Sequence, residues 1–564
     1  MDCIDSRRLT GPNLHLPVPG VVAEVACADD TEASAFVENW KTLIRPALDS
    51  VGFEGETVFH RIQNGHASVG FSGPIDRLYA GTELNEWAVS SAISGDKSRF
   101  SEVEPAILAA VAEEQNPRLL ALERTAKERG LPFLWDDDFV SIGYGETAQT
   151  WPADKLPDLD AVHWFPMRKI PIALVTGTNG KTTTSRMLTR ILVTAGYTAG
   201  STSSDGICIQ EEFVESGDWT GPGAARTVMR HPRVNAAVLE AARGGLLRRG
   251  VGVNACDVAI VTNVSADHLG EYGVHTVREM AEVKALVTTV VAPNGLRVLN
   301  ADDENTVAIG RTGDTSIAWF STKGDTPHIL NHCASGGQAC ILKDDMLMYY
   351  NGTQRTPLAH INTLPSALSG AATHNIANAL AASAAAIHLG VSVQIIQTAL
   401  QSFGSKHEDN PGRCQQFSIE AFHLIVDFAH NPAGVSAVLS LARSMMKQGD
   451  YQRLCVSIGQ AGDRSNDALD ALAEAVFAAD PEYVLLRKIA GYERGRGTDE
   501  VPKRLQSHLV QQGFDHSKTA ICIDEVDSLS KAEEWANGKD LVVHLIHIQR
   551  KPVQAWLKER NAYE

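Results

Sequence analysis

The sequence has no long apolar run and no excess of positive charge. Its 564 residues contain no window of about 18 uninterrupted apolar residues, the length that crosses a bilayer. Lysine and arginine total 50 against 68 aspartates and glutamates, so the formal net charge is −18. The first absence argues against a membrane-spanning protein, and the second against a nucleic-acid partner. Acidity of this kind is typical of proteins that stay soluble in the cytoplasm.

The sequence also lacks the cysteine and histidine patterns of disulfide or zinc frameworks. The nine cysteines are odd in number and no two are spaced as Cys-x-x-Cys, which predicts reduced thiols. His60 and His66 are isolated, which is typical of surface or hydrogen-bonded histidines rather than of metal ligands. Met1 to Asp5 lacks a basic stretch followed by an apolar one, so no secretory leader is expected. A cytoplasmic location is the resulting prediction.

The sequence does contain a regular alternation of short apolar runs and helical periodicity, in a chain long enough for about three or four domains. This alternation predicts an α/β protein. Polar stretches at 151–166 and 404–412 are typical of linkers. We therefore expect three domains: an N-terminal α/β domain over 1–165, a central domain with a mostly parallel sheet over 166–409, and a C-terminal Rossmann-like α/β domain over 410–564.

The most informative segment begins with the apolar run Ile170 to Val175. It ends in Thr-Gly-Thr-Asn-Gly-Lys-Thr-Thr-Thr and is followed by an amphipathic stretch, so it predicts a strand, a glycine-rich loop and a helix. Such a loop presents backbone N–H groups to a phosphate at a helix N-terminus, with Lys181 near the terminal phosphates and Thr182 near Mg²⁺. Val175 stands where the general phosphate-loop pattern has glycine. The segment predicts ATP binding through a shorter form of that loop.

Polar residues follow several apolar runs behind this loop. Glu240 ends the run 236–240, Asn263 ends the run 258–263, and Asp267-His268 comes shortly afterwards. Lys284 lies one predicted helix further on. Because the carboxyl ends of parallel strands share one edge of a sheet, these side chains are expected near the nucleotide. Each piece alone has an ordinary explanation, such as a turn, a helix cap or a solvated lysine.

Taken in this order, the motifs resemble the Mur ligases. The Gly-Thr-Asn-Gly-Lys-Thr-Thr loop and the residues behind it match that family's central domain. The segment from His374 to Asn378 is similar to its adenine-binding helix, Arg413 to its hinge arginine, and Asp427 to Pro432 to the opening of its C-terminal domain. The resemblance implies ATP and Mg²⁺ as cofactors, with domain closure about residues 404–413 during catalysis.

The resemblance also implies a role for each matching residue. Lys181, Glu240, His268 and Lys284 would be catalytic, and Thr182, Glu240, His268 and Lys284 would be metal partners. Lys284 matches a position often carbamylated in the family, and whether it is modified or contacts phosphate as an ammonium stays open. Nucleotide binding would fall to the following set: Gly177, Thr178, Asn179, Gly180, Lys181, Thr182, Thr183, Asn263, Asn375, Asn378, Arg413 and Asp427.

Further segments resemble the Mur half of the cyanophycin synthetase family, together with its N-terminal domain. They are Leu9 to Asn13, Pro132 to Gly145, Gly217 to Pro222, Ala266 to Gly270 and Arg494 to Gly497. In that family an ATP-grasp half extends an aspartate backbone, and the Mur half attaches arginine to its side-chain carboxylates. No ATP-grasp core is recognisable between Gly145 and Ile170. We therefore expect a single ligation on a preformed carboxylate, of an aspartyl type, rather than unaided polymer growth.

The implied chemistry transfers the γ-phosphoryl group of ATP to a carboxylate, and an amine attacks the resulting acyl phosphate. The carboxylate is expected near Thr220, Arg226 and Arg243. The amine is expected at the loop containing Glu493, Arg494, Arg496 and Asp499, where arginines suit a carboxylate and acids suit an amine or guanidinium. A solvated, purely structural loop is the alternative for this segment.

Two other functions remain open at this point. One is a peptidoglycan-type or folate-type Mur ligase, and the other is a non-catalytic protein that uses ATP as a switch. The expected partners are small-molecule carboxylate and amine substrates, whose identity is open, with no nucleic acid and no membrane. The role of the N-terminal domain and the formation of a homo-oligomer are also open.

Overall fold

The computed structural model describes residues 1–95, 100–449 and 451–562. The chain is an α/β protein, as predicted, and it divides into two compact units. The first unit comprises residues 1–341, 349–356 and 380–399, and the second comprises 342–348, 357–379 and 400–564. The predicted boundaries of three domains stay a proposal.

The N-terminal part of the first unit contains a four-stranded antiparallel sheet with helices packed on it and a small three-stranded sheet. Asp29 caps the first helix by accepting N–H bonds from Thr31 and Glu32, and Phe36 and Trp40 lie on its buried face. The elements are β1 Asp2–Leu9, β2 Gly20–Ala26, α1 Asp30–Ser50, β3 Val58–Gln63, β4 His66–Ser72, α2 Leu78–Ser94, α3 Phe100–Glu114, α4 Pro117–Glu128, β5 Phe133–Trp135, β6 Phe139–Ile142 and β7 Gln149–Pro152. The larger sheet has the order β1-β2-β4-β3.

The central part is built on one large sheet, parallel over most of its width as predicted. Its elements are β8 Ile172–Thr176, α5 Lys181–Thr194, β9 Ala199–Ser203, β10 Gly206–Ile209, β11 Glu212–Ser216, α6 Pro222–Arg230, β12 Ala236–Glu240, α7 Arg243–Arg249, β13 Cys256–Val261, α8 Val277–Thr289, β14 Val291–Asn300, α9 Glu304–Gly310, β15 Ser316–Ser321, α10 Pro327–Ala334, β16 Gln338–Lys343, β17 Met346–Asn351, β18 Gln354–His360, α11 Thr373–His388 and α12 Val393–Ser402. The strand order is β11-β10-β9-β12-β8-β13-β14-β15-β16-β17-β18.

Strand β8 is fully buried and lies between β12 and β13, parallel to both. This strand order determines where the predicted site residues lie. The loops that follow the three strands leave the same edge of the sheet, because parallel strands share their carboxyl ends. The phosphate-binding motif and Asn263 follow β8 and β13 at this edge, and Glu240 is the last residue of β12.

The second unit contains a six-stranded sheet of order β19-β20-β24-β21-β22-β23, parallel except for β19. Its elements are β19 Gln415–Ile419, β20 Phe422–Asp427, α13 Pro432–Lys447, β21 Arg453–Gly459, α14 Asn466–Ala478, β22 Tyr483–Arg487, α15 Glu500–Gln511, β23 Thr519–Cys522, α16 Glu525–Trp535, β24 Asp540–Leu545 and α17 Arg550–Lys558. This is the doubly wound C-terminal arrangement that the sequence predicts.

The described residues bear on two predictions, one about membrane-spanning helices and one about disulfides. None of the helices in the described residues is long and apolar enough to cross a membrane. The nine cysteines all lie in the described ranges and none forms a disulfide, as their number and spacing predict.

Candidate active site

The phosphate loop lies between β8 and α5 and depends on two glycines. Gly180 has φ +86° at the residue before α5, a conformation that glycine adopts without strain. At Gly177 a Cβ atom would lie 1.8 Å from the Thr262 Oγ1 atom, so only glycine fits between the two strands' ends. The backbone consequently wraps the N-terminus of α5, where N–H groups and the helix dipole favour an anion.

Asn263 supports this loop from behind. Its side-chain Oδ1 accepts the Asn179 N–H at 2.9 Å, and its Nδ2 donates to the Asn179 carbonyl at 2.9 Å. Thr262 donates its hydroxyl to the same carbonyl at 2.6 Å. Thr178 donates its backbone N–H to the Asn263 carbonyl at 2.9 Å. Asn263, for which the sequence predicts nucleotide contact, is thus placed as a brace of the loop backbone.

Lys181 and Thr182 are the first two residues of α5. The Lys181 ammonium donates to the carbonyls of Gly177 at 3.1 Å and Thr178 at 3.0 Å, so its charge is held against the loop. The Thr182 hydroxyl donates to the Glu240 Oε2 atom at 3.0 Å. Thr183, the next predicted nucleotide residue, is buried in the same turn.

Glu240 is a buried carboxylate at the carboxyl end of β12, with only 4% of its surface exposed. The Thr202 side chain accepts its backbone N–H at 2.9 Å, which fixes the strand end. The Glu240 carboxylate and the Thr182 hydroxyl together offer oxygen ligands beside the phosphate loop. Oxygen atoms of this kind are what Mg²⁺ prefers, so the donor set fits that ion.

Lys284 lies on α8, which begins with a capping box between Thr276 and Glu279. The lysine is buried and its pKa is lowered to about 7: burial is the main cause, the charges of Lys181 and Arg243 act in the same direction, and Asp267 opposes them. A lysine with that pKa is partly a neutral, nucleophilic amine at neutral pH. Lys284 therefore lies close enough to Lys181 and Asp267 for their charges to influence its pKa.

His268 lies on the loop formed by residues 266–275, named here the His268 loop. Its backbone is left-handed, with φ +51°, and its ring Nδ1 lies 3.7 Å from a Glu271 carboxylate oxygen. Arg243, at the start of α7, donates to the His268 carbonyl at 2.7 Å and to the Glu271 carboxylate at 2.5 Å. The guanidinium of Arg243 is thus engaged by this loop, and the loop is held in place by it.

The other two residues predicted to contact the carboxylate, Thr220 and Arg226, have different surroundings. The Thr220 carbonyl accepts the Ala242 N–H at 3.2 Å, which places Thr220 beside Arg243. Arg226, in contrast, is 9% exposed and donates to the Thr10 hydroxyl at 3.0 Å in the N-terminal segment. Burial lowers the Arg226 pKa to about 10, which leaves it protonated at neutral pH. Its guanidinium is therefore committed to a contact within the protein.

The second unit holds a cavity of about 140 Å³ next to the predicted adenine helix. Asn375 and Arg413 both line it. Asn375 donates its side-chain N–H to the Ser366 carbonyl at 3.0 Å, and Asn378 lies behind, 3.5 Å from the Asn375 side-chain oxygen. Further polar residues of the lining carry no recognisable signal in the sequence, because they lie in the predicted linker or just after it; among them are Lys406, His407 and Gln415.

Asp427 is buried next to this cavity and both of its oxygens are used internally. One accepts the Cys414 N–H at 2.8 Å, and the other accepts the Ala429 N–H at 2.7 Å. Arg413 stacks on the neighbouring Phe428, with its guanidinium carbon 4.6 Å from the ring centroid. The structure therefore brings Asn375 and Arg413 to one cavity, and places Asn378 and Asp427 behind it.

The loop 492–500 follows β22. Arg496 is built into the loop's own framework: it donates to the carbonyls of Gly462 and Arg464, both at 2.8 Å, and to the Glu500 carboxylate at 2.7 Å. Arg494 pairs with Asp463 but keeps 51% of its side-chain surface exposed. The other two predicted residues lie on the same loop: the Glu493 backbone packs on Gly462, and Asp499 pairs with Lys488 at 2.6 Å.

Comparisons with known proteins identify the family to which this chain belongs. The family descriptions "Mur ligase middle domain" and "Mur ligase, glutamate ligase domain" match residues 175–386 and 412–545. A cyanophycin synthetase from Synechocystis sp. is 39% identical over 375 residues, which are 66% of this chain and 42% of that protein. The chain thus spans about two fifths of the length of this relative.

Two further proteins are similar over more of their own length. The UDP-N-acetylmuramoyl-L-alanyl-D-glutamate–2,6-diaminopimelate ligase of Corynebacterium efficiens is 30% identical over 398 residues, which are 68% of this chain and 70% of that protein. Among solved structures, E. coli FolC in complex with DHPP and ADP aligns at 18% identity and a TM-score of 0.49, covering 69% of this chain and 89% of that chain.

Proposed function

Because the chain belongs to the Mur ligase family, we propose that it is an ATP-dependent ligase that joins a carboxylate to an amine through an acyl phosphate. The observation that supports this most directly is the juxtaposition of a phosphate loop, a charged Lys181 held on it, and the Thr182 and Glu240 oxygens 3.0 Å apart. Phosphoryl transfer to a carboxylate brings negative charges together and needs positive charge already in position.

In this proposal the residues at the sheet edge have distinct tasks. The loop N–H groups and Lys181 hold the terminal phosphates and stabilise the charge that develops during transfer. Thr182 and Glu240 would hold Mg²⁺, which when bound neutralises phosphate charge. His268 would contact a second Mg²⁺ near the acyl phosphate. Asn375 and Arg413 would hold the nucleotide at their cavity.

Lys284 has a special position in the proposal. With a pKa of about 7, a large fraction of its amine is neutral at neutral pH, and the neutral amine is the form that adds CO₂. The nitrogen–carbon bond then forms with loss of one proton to solvent, and the product is an anionic carbamate. This supports the carbamylated alternative, in which Lys284 is an anionic metal partner, over an ammonium that contacts phosphate.

The substrates follow from the same comparison. The relatives are named for cyanophycin synthesis and for addition of 2,6-diaminopimelate, so a small-molecule carboxylate and an amino-acid-like amine are proposed. We favour an aspartyl-type carboxylate at Thr220 and Arg243, and an amine at the loop 492–500 with Arg494 as its more exposed arginine. A single amide bond on a preformed carboxylate is the proposed product, and a cytoplasmic location is part of the same proposal.

A screen of co-substrates tests this function. Purified protein is incubated with ATP, Mg²⁺, a pool of the common amino acids and a pool of aspartyl dipeptides, and phosphate release is measured. Release that requires both an acceptor and an amine, with an amide product of matching mass, is expected. Release that needs neither would favour an ATP-driven switch, and a cyanophycin-like polymer from free aspartate and arginine would contradict the single-ligation proposal.

A second candidate is a peptidoglycan-type ligase, favoured by the 30% identity to the Corynebacterium efficiens enzyme over 70% of that protein. The same screen separates the two candidates when a uridine-diphosphate-linked muramoyl peptide and 2,6-diaminopimelate are added. Phosphate release that depends on the nucleotide-linked peptide, and not on aspartyl compounds, would select the second candidate.

A further inference from the structure

A chain of contacts runs from the middle of the N-terminal sheet to the His268 loop. It begins at Glu24, which lies on β2 and is only 1% exposed. The Glu24 carboxylate accepts hydrogen bonds from Arg7 at 2.7 Å and from Ser68 at 2.5 Å, and its Oε2 lies 2.7 Å from the His66 Nε2 atom. A carboxylate this buried stays charged only with such partners, although burial itself raises its pKa: the bonds from His66 and Arg7 outweigh burial and bring the pKa down to about 2.

Two of these partners touch the His268 loop directly. The ring of His66 fills the space where a Cβ atom of residue 273 would be: such an atom on Gly273 would lie 2.7 Å from the His66 Cδ2 atom. The guanidinium of Arg7 lies over the ring of Tyr272, 4.9 Å from its centroid. Glu24 therefore fixes two side chains that press on adjacent residues of this loop.

The same network also reaches the helix that holds the loop from its other side. Arg7 donates to the Leu247 carbonyl on α7 at 3.2 Å, and Arg248 of α7 donates to the Tyr272 hydroxyl at 2.8 Å. Arg243, at the start of α7, donates to the His268 carbonyl. Helix α7 and the loop thus share Arg7 as a common neighbour.

The loop needs external support because its backbone is unusual. His268 and Tyr272 have left-handed φ values of +51° and +53°, which cost energy for residues other than glycine. Within the loop, the Gly270 N–H donates to the Val274 carbonyl at 2.7 Å, and the Val274 N–H to the Glu271 carbonyl at 3.1 Å. A strained segment persists when surrounding contacts over-determine it, and the Glu24 network supplies such contacts.

We propose that Glu24, His66 and Arg7 are positioning residues that set the conformation of the His268 loop, so that the N-terminal sheet supports the metal side of the ligase site. The proposal rests on the function proposed above for His268. It gives the N-terminal segment a task within the site, although none of the three side chains is assigned a contact with substrate or nucleotide.

The primary test is hydrogen exchange on the full chain without substrate. Glu24→Gln keeps the shape of the side chain but removes its charge, and Tyr272→Asn removes the ring under Arg7 while tolerating the left-handed backbone. Both variants should raise the exchange rate of a peptide spanning 266–276 by about tenfold, because the opening free energy of a local unit falls with its supporting contacts. The phosphate-loop peptide should be unchanged.

A matched control comes from the helices packed on the same sheet. Trp40→Phe removes a buried hydrogen bond at 3.0 Å to Asn85, in the helical layer of the N-terminal part, without touching the loop. It should raise exchange in α1 and leave the 266–276 peptide at the wild-type rate. If Glu24→Gln loosens β2 and β4 while the 266–276 peptide stays at the wild-type rate, the proposal is wrong. Tyr272→Asn, on the surface side of the contact, covers the case in which Glu24→Gln does not fold.

A kinetic measurement completes the test in the ligation assay. Glu24→Gln should raise the half-saturating Mg²⁺ concentration by about tenfold, as loss of outer support around a metal typically does, with an unchanged KM for ATP. An equal loss in Trp40→Phe would assign the effect to general destabilisation and overturn the positioning role. If the wild type shows no ligation and the exchange result still holds, the proposed function fails while the coupling to the loop stands.

Discussion

The phosphate loop and the loop 492–500 were both predicted from their sequences, and the structure places their side chains very differently. In the phosphate loop, glycine geometry presents backbone N–H groups, and the Lys181 ammonium rests on carbonyls of the same loop. In the loop 492–500, the Arg496 guanidinium is already bonded to two backbone carbonyls and a carboxylate. A glycine pattern encodes a backbone shape, whereas an arginine pattern leaves open whether the partner is a ligand or the protein itself.

Lys181→Ala should have the largest effect of the variants described here, and it tests the role of the phosphate loop. Removing a charge that stabilises phosphoryl transfer is expected to lower turnover by about 10²-fold or more, with the fold intact. Turnover is measured as ATP-dependent phosphate release with saturating co-substrates, and Lys558→Ala at an exposed lysine is the control. Near-normal turnover in a folded variant would refute the assignment.

Glu240→Gln and His268→Ala test the metal side of the same region. We expect each to raise the half-saturating Mg²⁺ concentration by about 10- to 100-fold, because the variants lose a ligand or its support. Measurement is by titration of Mg²⁺ at fixed ATP. Unaltered Mg²⁺ dependence in both variants would remove these residues from the metal site.

Lys284 predicts a dependence of stability on pH. Its folded pKa of about 7 lies below the unfolded value of about 10.4, so between these pH values the unfolded chain binds a proton that the native state does not. The free energy of unfolding should therefore rise with pH across this window in the wild type relative to Lys284→Met. Urea unfolding at pH 7 and pH 9 measures the difference, with Lys551→Met as an exposed control. Parallel pH profiles for wild type and Lys284→Met would contradict the prediction.

Substitutions of the two arginines of the loop 492–500 should have the smallest effects. They test whether each arginine stabilises the loop or binds the amine. Arg496→Lys loses a fork of bonds to two carbonyls, and we expect the free energy of unfolding to fall by about 1–2 kcal/mol. Arg494→Lys should leave stability near the wild-type value and raise the KM for the amine more than that for ATP. Chemical denaturation and co-substrate titrations measure the two. If Arg496→Lys alone changed the amine KM, the roles would be reversed.

The sequence predicted the α/β class, the parallel central sheet and the phosphate loop, because glycine spacing and apolar periodicity report on the backbone directly. The strand-end position of Glu240 followed from the same reasoning. The exact use of a polar side chain did not follow: Asn263 and Asp427 have the chemistry of ligands, yet both bond backbone groups. Arg226 likewise contacts Thr10, a residue far away in the sequence, and no local pattern signals that contact.

For His66, the sequence predicted the kind of environment but not the contact with a distant residue. Its isolation in the sequence favoured a surface or hydrogen-bonded residue, and it is indeed bonded to Glu24. What the sequence could not indicate is that its ring occupies the space beside Gly273, more than 200 residues later.

That close approach has a consequence for how the protein can change. A side chain at position 273 would collide with the ring at position 66, so a residue larger than glycine at 273 is tolerable only with a smaller residue at 66. The two positions should therefore vary as a pair among descendants of this protein. A chimera that joins the N-terminal sheet of one such protein to the middle domain of another would need both residues from the same parent.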